Sequence, residues 1–530
     1  MIIIGGGATG LGAAVDSASR GYRTLLIERD DFAKGTSSRS TKLVHGGVRY
    51  LKQGNISLVN EALRERGRLR ENAPHLVRHL AFVVPNYDWW EGPFYGIGLK
   101  LYDFLAGKMG LGPSRRLSKD EVLKAIPNVN AQDLRGGVQY YDGQFDDARL
   151  ALHLAMTAAE QGATILNYVS AEQFIKDEDG VITGVRCRDH ESGESLEVRG
   201  RVVINATGVF VDELRAADDP ESEPMVTPSQ GVHIVLPRRF LNGDTAIMVP
   251  QTEDGRVLFA IPWYDKVVVG TTDTAIPSPS AEPKPLEEEL DFILTHAQKY
   301  LSIDPVETDV SACFAGLRPL VSAGKNKKTS AISREHTIVT SRSGLITVTG
   351  GKWTTYRKMA EDVIDYAIGL GQLEEVPCQT MDLKLYGWHP SDDGVISVLS
   401  VYGSDREYIE ALIKSDPNLA TLIHPDLPYR ETEVVWAVRA EMARTIEDVL
   451  ARRTRALLLN AQAAIEAAPR VAEILAKELE RDQTWIDQEL IHFTELAQGY
   501  CWPEDFLVSP SNVNKESVSQ ESVSKEDPME

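Results

Sequence analysis

Cysteine is scarce: Cys187, Cys313, Cys378 and Cys501 are the only four in 530 residues. None forms a CxxC pair, which excludes a paired redox motif or a zinc site of that spacing and leaves reduced thiols of a cytosolic protein as the simple reading. Positive charge is also short. Lys and Arg number 56 against 78 Asp and Glu, a formal net charge of −22. Neutralising nucleic-acid phosphates needs clustered cations, so no nucleic acid is expected as a partner. Broad adsorption to anionic lipid is disfavoured too, although a local basic patch could still act. No apolar run approaches the roughly 20 residues of a membrane span, and no secretory signal pattern is visible. What is present is ordinary for a soluble protein: 42% hydrophobic and 25% charged residues. The length exceeds one compact core, so two or three domains are expected.

The first thirty residues carry the strongest signal. Met1-Ile2-Ile3-Ile4 is a short β-branched run, followed at once by Gly5-Gly6-Gly7-Ala8-Thr9-Gly10. Leu11 to Arg20 reads as a helix with Ala13, Ala14 and Ala18 for close packing. Gly21-Tyr22 ends it, and Thr24 to Glu28 reads as a second buried strand closing on an acid. This is a βαβ dinucleotide unit. Gly5 permits the tight turn, Gly7 the approach of a pyrophosphate and Gly10 the contact of helix with strand. The helix N-terminus supplies amides and partial positive charge, and Glu28 can accept from a ribose diol. So few residues precede the glycines that two readings stay open: a short first strand, or natural N-terminal residues missing.

Residues 35–43 are a run of small hydroxyls and cations, with Thr36, Ser37, Ser38, Ser40, Thr41, Lys42 and Leu43 as candidate wrappers of a pyrophosphate or flavin edge; a plain polar loop is the alternative. His45, Gly46 and Gly47 follow, where paired glycines let something flat approach the backbone, and Arg49 and Tyr50 come next. Here the sequence resembles the FAD-dependent glycerol-3-phosphate dehydrogenases of the respiratory, membrane-associated type. The resembling segments are GGGATG at 5–10, SSRSTKLVHGGVRYL at 37–51, DDARL at 146–150, NATG at 205–208, GVHIVLP at 231–237, IPW at 261–263, GTTDT at 270–274, GLRPL at 316–320 and GGKWTTYRKMAE at 350–361. They cover about the first 380 residues in consistent order.

The expected fold is α/β: a Rossmann-like FAD-binding domain, an antiparallel substrate sheet and an all-helical C-terminal domain. The FAD-binding segments are set at 1–80, 145–215 and 310–370, the substrate or cap segments at 81–144 and 216–309, and helices at 385–507. The tail 508–530, with its repeated Glu-Ser-Val-Ser, is expected to be disordered. Gln139 to Asp147 reads as an acidic turn, with Asp146 or Asp147 capping a helix to Gln161. Val202 to Ile204 reads as a parallel strand delivering Ala206, Thr207 and Gly208 to the cofactor; two such glycine turns favour resident FAD over diffusible NAD. The resemblance places Val169 near the adenine. Leu345–Thr349 is a last core strand, and Gly350-Gly351-Lys352 opens a helix to Leu370, with Gly351, Lys352, Thr354 and Thr355 suited to the flavin pyrimidine. In the C-terminal part, helices are expected at 395–401, 406–412, 431–439 and 454–468, with Pro469 breaking the last. The charged runs 431–444 and 452–455 read as solvated faces or an oligomer contact.

The resemblance implies oxidation of sn-glycerol 3-phosphate to dihydroxyacetone phosphate, with hydride leaving C2 for flavin N5 and electrons passing to membrane quinone. His233 or Arg318 is the candidate for the proton chemistry. An arginine is a poor base, so Arg318 suits a developing alkoxide. Arg49, Tyr50, Arg334 and Lys352 are candidates for the phosphate, and Lys352 for the flavin as well. The aromatic stretch around Trp89, Trp90, Phe94, Tyr95 and Phe104, with Lys100, Lys108, Arg115 and Arg116, reads either as a peripheral contact with the inner face of the cell membrane or as core or dimer contact. A homodimer is expected. The rivals are an oxygen-using oxidase, an amine or 2-hydroxy acid oxidase of the same fold, and a flavin-binding scaffold without activity.

Overall fold

The structure, a computed structural model, describes residues 1–47, 55–88, 91–250, 252, 256–321, 336–390 and 398–503; the side chains of residues 91–95, 97 and 108 are not described. Arg49, Tyr50, Arg334, Trp89, Trp90 and the tail therefore lie outside the described residues.

Ile2–Ile4 is a three-residue strand at the centre of a six-stranded sheet, with each isoleucine buried. It pairs in parallel with Leu25–Ile27 on one side and Val203–Asn205 on the other. Thr164–Leu166 and Ile346–Gly350 extend the sheet in parallel, and His336–Thr340 closes the far edge antiparallel. β-Branched strands buried on both faces fit a sheet covered by helices. The helix Ala8–Ser19 lies on it, and its small residues let the helix Tyr356–Leu370 come close: a Cβ added at Gly12 would stand 2.9 Å from the Tyr356 ring. A three-stranded meander, Val169–Lys176, Ile182–Asp189 and Ser195–Arg199, is appended.

A second, larger sheet lies beyond. Its strands Val226–Pro237, Lys266–Gly270, Leu258–Trp263 and Thr245–Val249 follow antiparallel, as expected, and one parallel pairing joins Thr245–Val249 to Val77–Asn86. Two expectations fail here. Residues 139–145 are not a turn but the end of a ten-residue strand, Gly136–Phe145; buried Gln139, Asp142 and Gln144 give a central strand an acidic look. Ala312–Val321, assigned to the FAD-binding half, instead pairs along its length with Val226–Pro237. Asp146 does cap the helix Asp147–Glu160, accepting from the Arg149 amide.

The C-terminal part is helical, with Arg406–Ser415, Glu431–Glu441, Ala461–Leu479 and Gln483–Gln498 as its main helices. The expected helix at 395–401 falls partly outside the described residues. Pro469 does not break its helix; Ala461–Leu479 runs through it. Proline costs a helix interior about 3 kcal/mol, but the same helix buries Val471, Ile474 and Leu475, each worth roughly 1.5–3 kcal/mol. The charged run 452–455 is not solvated either. Arg452, Arg453 and Arg455 are buried and paired with Asp31, Glu447, Asp448, Asp146 and Asp147. Separations of three hundred residues or more hide the pairs with Asp31, Asp146 and Asp147 from any local reading. In the other run, Glu431, Glu433 and Glu441 are buried, and Glu441 holds Arg149.

Candidate active site

A cleft of about 500 Å³ opens between the two sheets. One wall is the glycine turn. Gly5 stands at φ +115, and an added Cβ would reach 2.7 Å from the Ala206 carbonyl oxygen; one on Gly10 would reach 1.9 Å from that of Gly5. Only glycine lets turn, helix and Ala206 strand meet. Gly7 caps the helix with no side-chain bond, while the Ala8 amide donates to Ser37 Oγ at 2.9 Å, so the positive helix end opens on the cleft. Glu28 accepts from the Gly6 amide at 2.6 Å and the Asp30 amide at 2.9 Å, and burial raises its carboxyl above the usual range. Gly208, at φ +64, points an added Cβ into open space.

The facing wall gathers the polar side chains. His233 sits on Val226–Pro237, stacked on Phe314 with ring centres 4.9 Å apart, and its Nε2 lies 3.0 Å from Thr41 Oγ1. Burial, then the charges of Lys42 and Arg318, pull its pKa down to about 3, so the imidazole is neutral at neutral pH. Its Nδ1 is buried with no partner among the described residues. Arg318 donates to the Gln230 carbonyl at 3.3 Å and to Thr271 Oγ1 at 3.1 Å, with Asp273 at 3.6 Å. Gly351 and Lys352 close the cleft at the far end, and the His45 amide donates to Thr354 Oγ1 at 3.1 Å.

Of the sequence candidates, Gly5, Gly7, Thr9, Glu28, Thr36, Ser37, Ser40, Thr41, Leu43, His45, Val169, Ala206, Thr207, Gly208, His233, Arg318, Gly351, Lys352 and Thr354 line this cleft. Ser38, Gly46 and Thr355 sit behind its wall, and Gly47 is not among the lining residues. The Gly46 amide is held by Tyr102 OH at 2.8 Å, itself bound to Asp142, which pairs with Arg66. Lys42 is the clear misplacement. Its side chain is fully buried, with Nζ 2.8 Å from Asp147 and 2.7 Å from the Ser38 carbonyl, because a cation with no exit to water needs a carboxylate. Sequence reading missed Phe314 under His233, Trp353 donating to the Ser37 carbonyl at 3.0 Å, and Asp147 itself. Asp147 carried a signal within DDARL and Trp353 one within GGKWTTYRKMAE; Phe314 carried none.

A family model described as FAD dependent oxidoreductase matches residues 1–357, and one described as the C-terminal domain of alpha-glycerophosphate oxidase matches 345–485. The chain is 42% identical to the mitochondrial glycerol-3-phosphate dehydrogenase of Bos taurus, across 95% of this chain and 73% of that one. The chain belongs to the FAD-dependent glycerol-3-phosphate dehydrogenase family. The mitochondrial member from Arabidopsis thaliana is 41% identical over 94% of this chain and 86% of its own length. Among solved structures, the Bacillus halodurans glycerol-3-phosphate dehydrogenase complexed with FAD superposes with a TM-score of 0.76 at 29% identity, over 94% of each chain. An L-proline dehydrogenase from P. horikoshii, at a TM-score of 0.54 and 16% identity, shares the fold alone. FAD, the family's cofactor, fits the residues present. The helix end at Ala8 and Thr9 suits its pyrophosphate, Glu28 a ribose, and the open space at Gly208 a close approach.

Proposed function

We propose that this protein oxidises sn-glycerol 3-phosphate to dihydroxyacetone phosphate. The observation that carries the reading is the convergence of His233, Arg318 and Lys352 on one cleft walled by the dinucleotide turn. FAD, when bound, supplies the hydride acceptor for substrate C2. His233, stacked on Phe314 and anchored at Thr41, takes the C2 hydroxyl proton, its proton affinity raised by the negative charge that develops on that oxygen. Arg318 stays charged and stabilises the oxygen as that proton leaves, held in place by Gln230 and Thr271. Lys352 brings positive charge to the cleft end, and with Arg49, Tyr50 and Arg334 holds the phosphate on the strength of the sequence resemblance.

Electrons then pass to membrane quinone. Among the described residues no helix is long and apolar enough to cross a membrane. Leu101 and Phe104, 43% and 82% exposed on the helix Glu91–Ala106, support peripheral membrane contact; the inner face of the cell membrane and a homodimer belong to the same reading on the sequence resemblance alone.

The test is an anaerobic absorbance titration of the purified flavoprotein with glycerol 3-phosphate, with glycerol and lactate as controls. Bleaching by the phosphate ester alone is expected. Bleaching by lactate would move the reading to a 2-hydroxy acid oxidase, and bleaching by none of the three would remove the substrate assignment.

A further inference from the structure

The stretch 31–43 lines the cleft with Ala33 to Thr36, Ser37, Arg39 to Thr41 and Leu43. Its backbone takes costly left-handed turns at Ala33, φ 61, and Lys42, φ 62. Something must hold that shape, and all the anchors but Lys34 sit on the side away from the cleft. Asp31 is gripped by Arg452 and Arg453. Lys34 pairs with Glu447. The Ser38 carbonyl accepts from Arg455 at 2.7 Å, and the same guanidinium reaches Asp147 Oδ1 at 3.0 Å. Asp147 in turn accepts from the Ser40 amide at 2.9 Å, Ser40 Oγ at 2.7 Å and Lys42 Nζ at 2.8 Å. Glu447, Arg452, Arg453 and Arg455 belong to one short segment, 447–455, which does not itself line the cleft.

We propose that Arg455, acting through Asp147 and the Ser38 carbonyl, is a positioning residue for FAD: the helical C-terminal domain grips the loop 36–43 from behind and so sets how firmly that loop holds the cofactor. Arg455 does not line the cleft. Its work is to fix Ser40 and Lys42 on either side of Thr41, the residue that meets His233. A guanidinium suits the task because its planar fork serves Ala451, Ser38 and Asp147 together, at 2.9, 2.7 and 3.0 Å. An ammonium group in the same place cannot span all three. The inference rests on FAD occupying this cleft and not on the identity of the substrate.

The test uses purified holoenzyme of three variants. Arg455→Met removes the fork, Arg455→Lys keeps the charge, and Leu475→Ala loosens the core of the helical domain at a fully buried site away from the loop. FAD release on dilution is read from the recovery of free-flavin fluorescence, and the melting temperature is measured alongside. Arg455→Met is expected to release FAD at least ten-fold faster, with an altered visible flavin spectrum, and Arg455→Lys to fall between it and the parent. Leu475→Ala is expected to lower the melting temperature while release stays within two-fold. If release follows melting temperature equally in all three, Arg455 is only structural and the proposal is overturned. Should Arg455→Met yield no folded protein, Arg455→Lys decides alone: unchanged release overturns the proposal, and faster release at an unchanged melting temperature supports it.

Discussion

The stretch 31–43 faces ligand space on one side and protein on the other, and the two sides are held by different chemistry. The cleft side offers hydroxyls and a neutral imidazole, with His233 Nδ1 lacking a partner among the described residues. The rear side is paired: Asp31, Lys42, Asp147, Arg452, Arg453 and Arg455 are all buried, and each meets an opposite charge. A site that must accept a charged substrate keeps its polar capacity open, while a scaffold closes every charge internally.

Mutations on the two sides should therefore fail differently. The largest effect is expected at the rear. Asp31→Ala leaves two buried guanidinium groups short of a carboxylate, and a loss of about 3–5 kcal/mol is expected in denaturant unfolding. The substrate KM of protein that stays folded should be little changed. Next comes Arg318→Met in the cleft, which should cost roughly 10²–10³ in kcat/KM, or about 2.7–4 kcal/mol of transition-state stabilisation, at nearly unchanged melting temperature. The contrast would collapse if Arg318→Met unfolded the protein or Asp31→Ala acted mainly on KM.

Counted per ring, a smaller effect is expected from pH. Burial holds His75 and His233 down to about 3 and His153 well below its usual value. Between pH about 6.5 and 3 the unfolded chain binds protons on these rings that the folded chain refuses, so stability rises with pH across that window and is lost on acidification. The slope is up to about 1.4 kcal/mol per pH unit for each ring, measurable as a falling melting temperature from pH 7 to pH 5. Because His233 is already deprotonated, kcat, which does not report the free substrate's own phosphate ionisation at about pH 6, should show no acidic inflection near pH 6.5 from this ring. The smallest effect is expected at the surface: Phe104→Ser should weaken binding to lipid vesicles about ten-fold and leave soluble turnover unchanged, and unchanged vesicle binding would remove the membrane role of that helix.

How much of this could be read from sequence follows the same divide. The glycine turn, Glu28, the strands of the parallel sheet and the Gly351 turn were legible because their chemistry is local: a glycine tolerates a turn that its neighbours demand. His233 and Arg318 were legible only through resemblance, since nothing near either residue says that they converge. The rear side was not legible. Arg453 meets Asp31 across 422 positions, and a charged run looks the same whether water or a distant carboxylate receives it. The strand Gly136–Phe145 was hidden for a related reason, because Gln139, Asp142 and Gln144 find partners in Arg115, Arg66 and Arg78 that only the fold provides. Pro469 misled because a local rule was weighed without the apolar burial that outweighs it.

The union of Asp31 with Arg452 and Arg453 also has a history in time. During synthesis the loop leaves the ribosome long before its anchors. At about 5–20 residues per second, the intervening stretch takes roughly 20–80 s to make. Through that interval the nascent flavin half carries Asp31 without its arginines and Asp147 with Ser40 and Lys42 but without Arg455, and the Arg455 grip on Ser38 does not yet exist. Cofactor capture should therefore come late, as a step that waits for the last quarter of the chain, and a truncated or stalled product should emerge colourless.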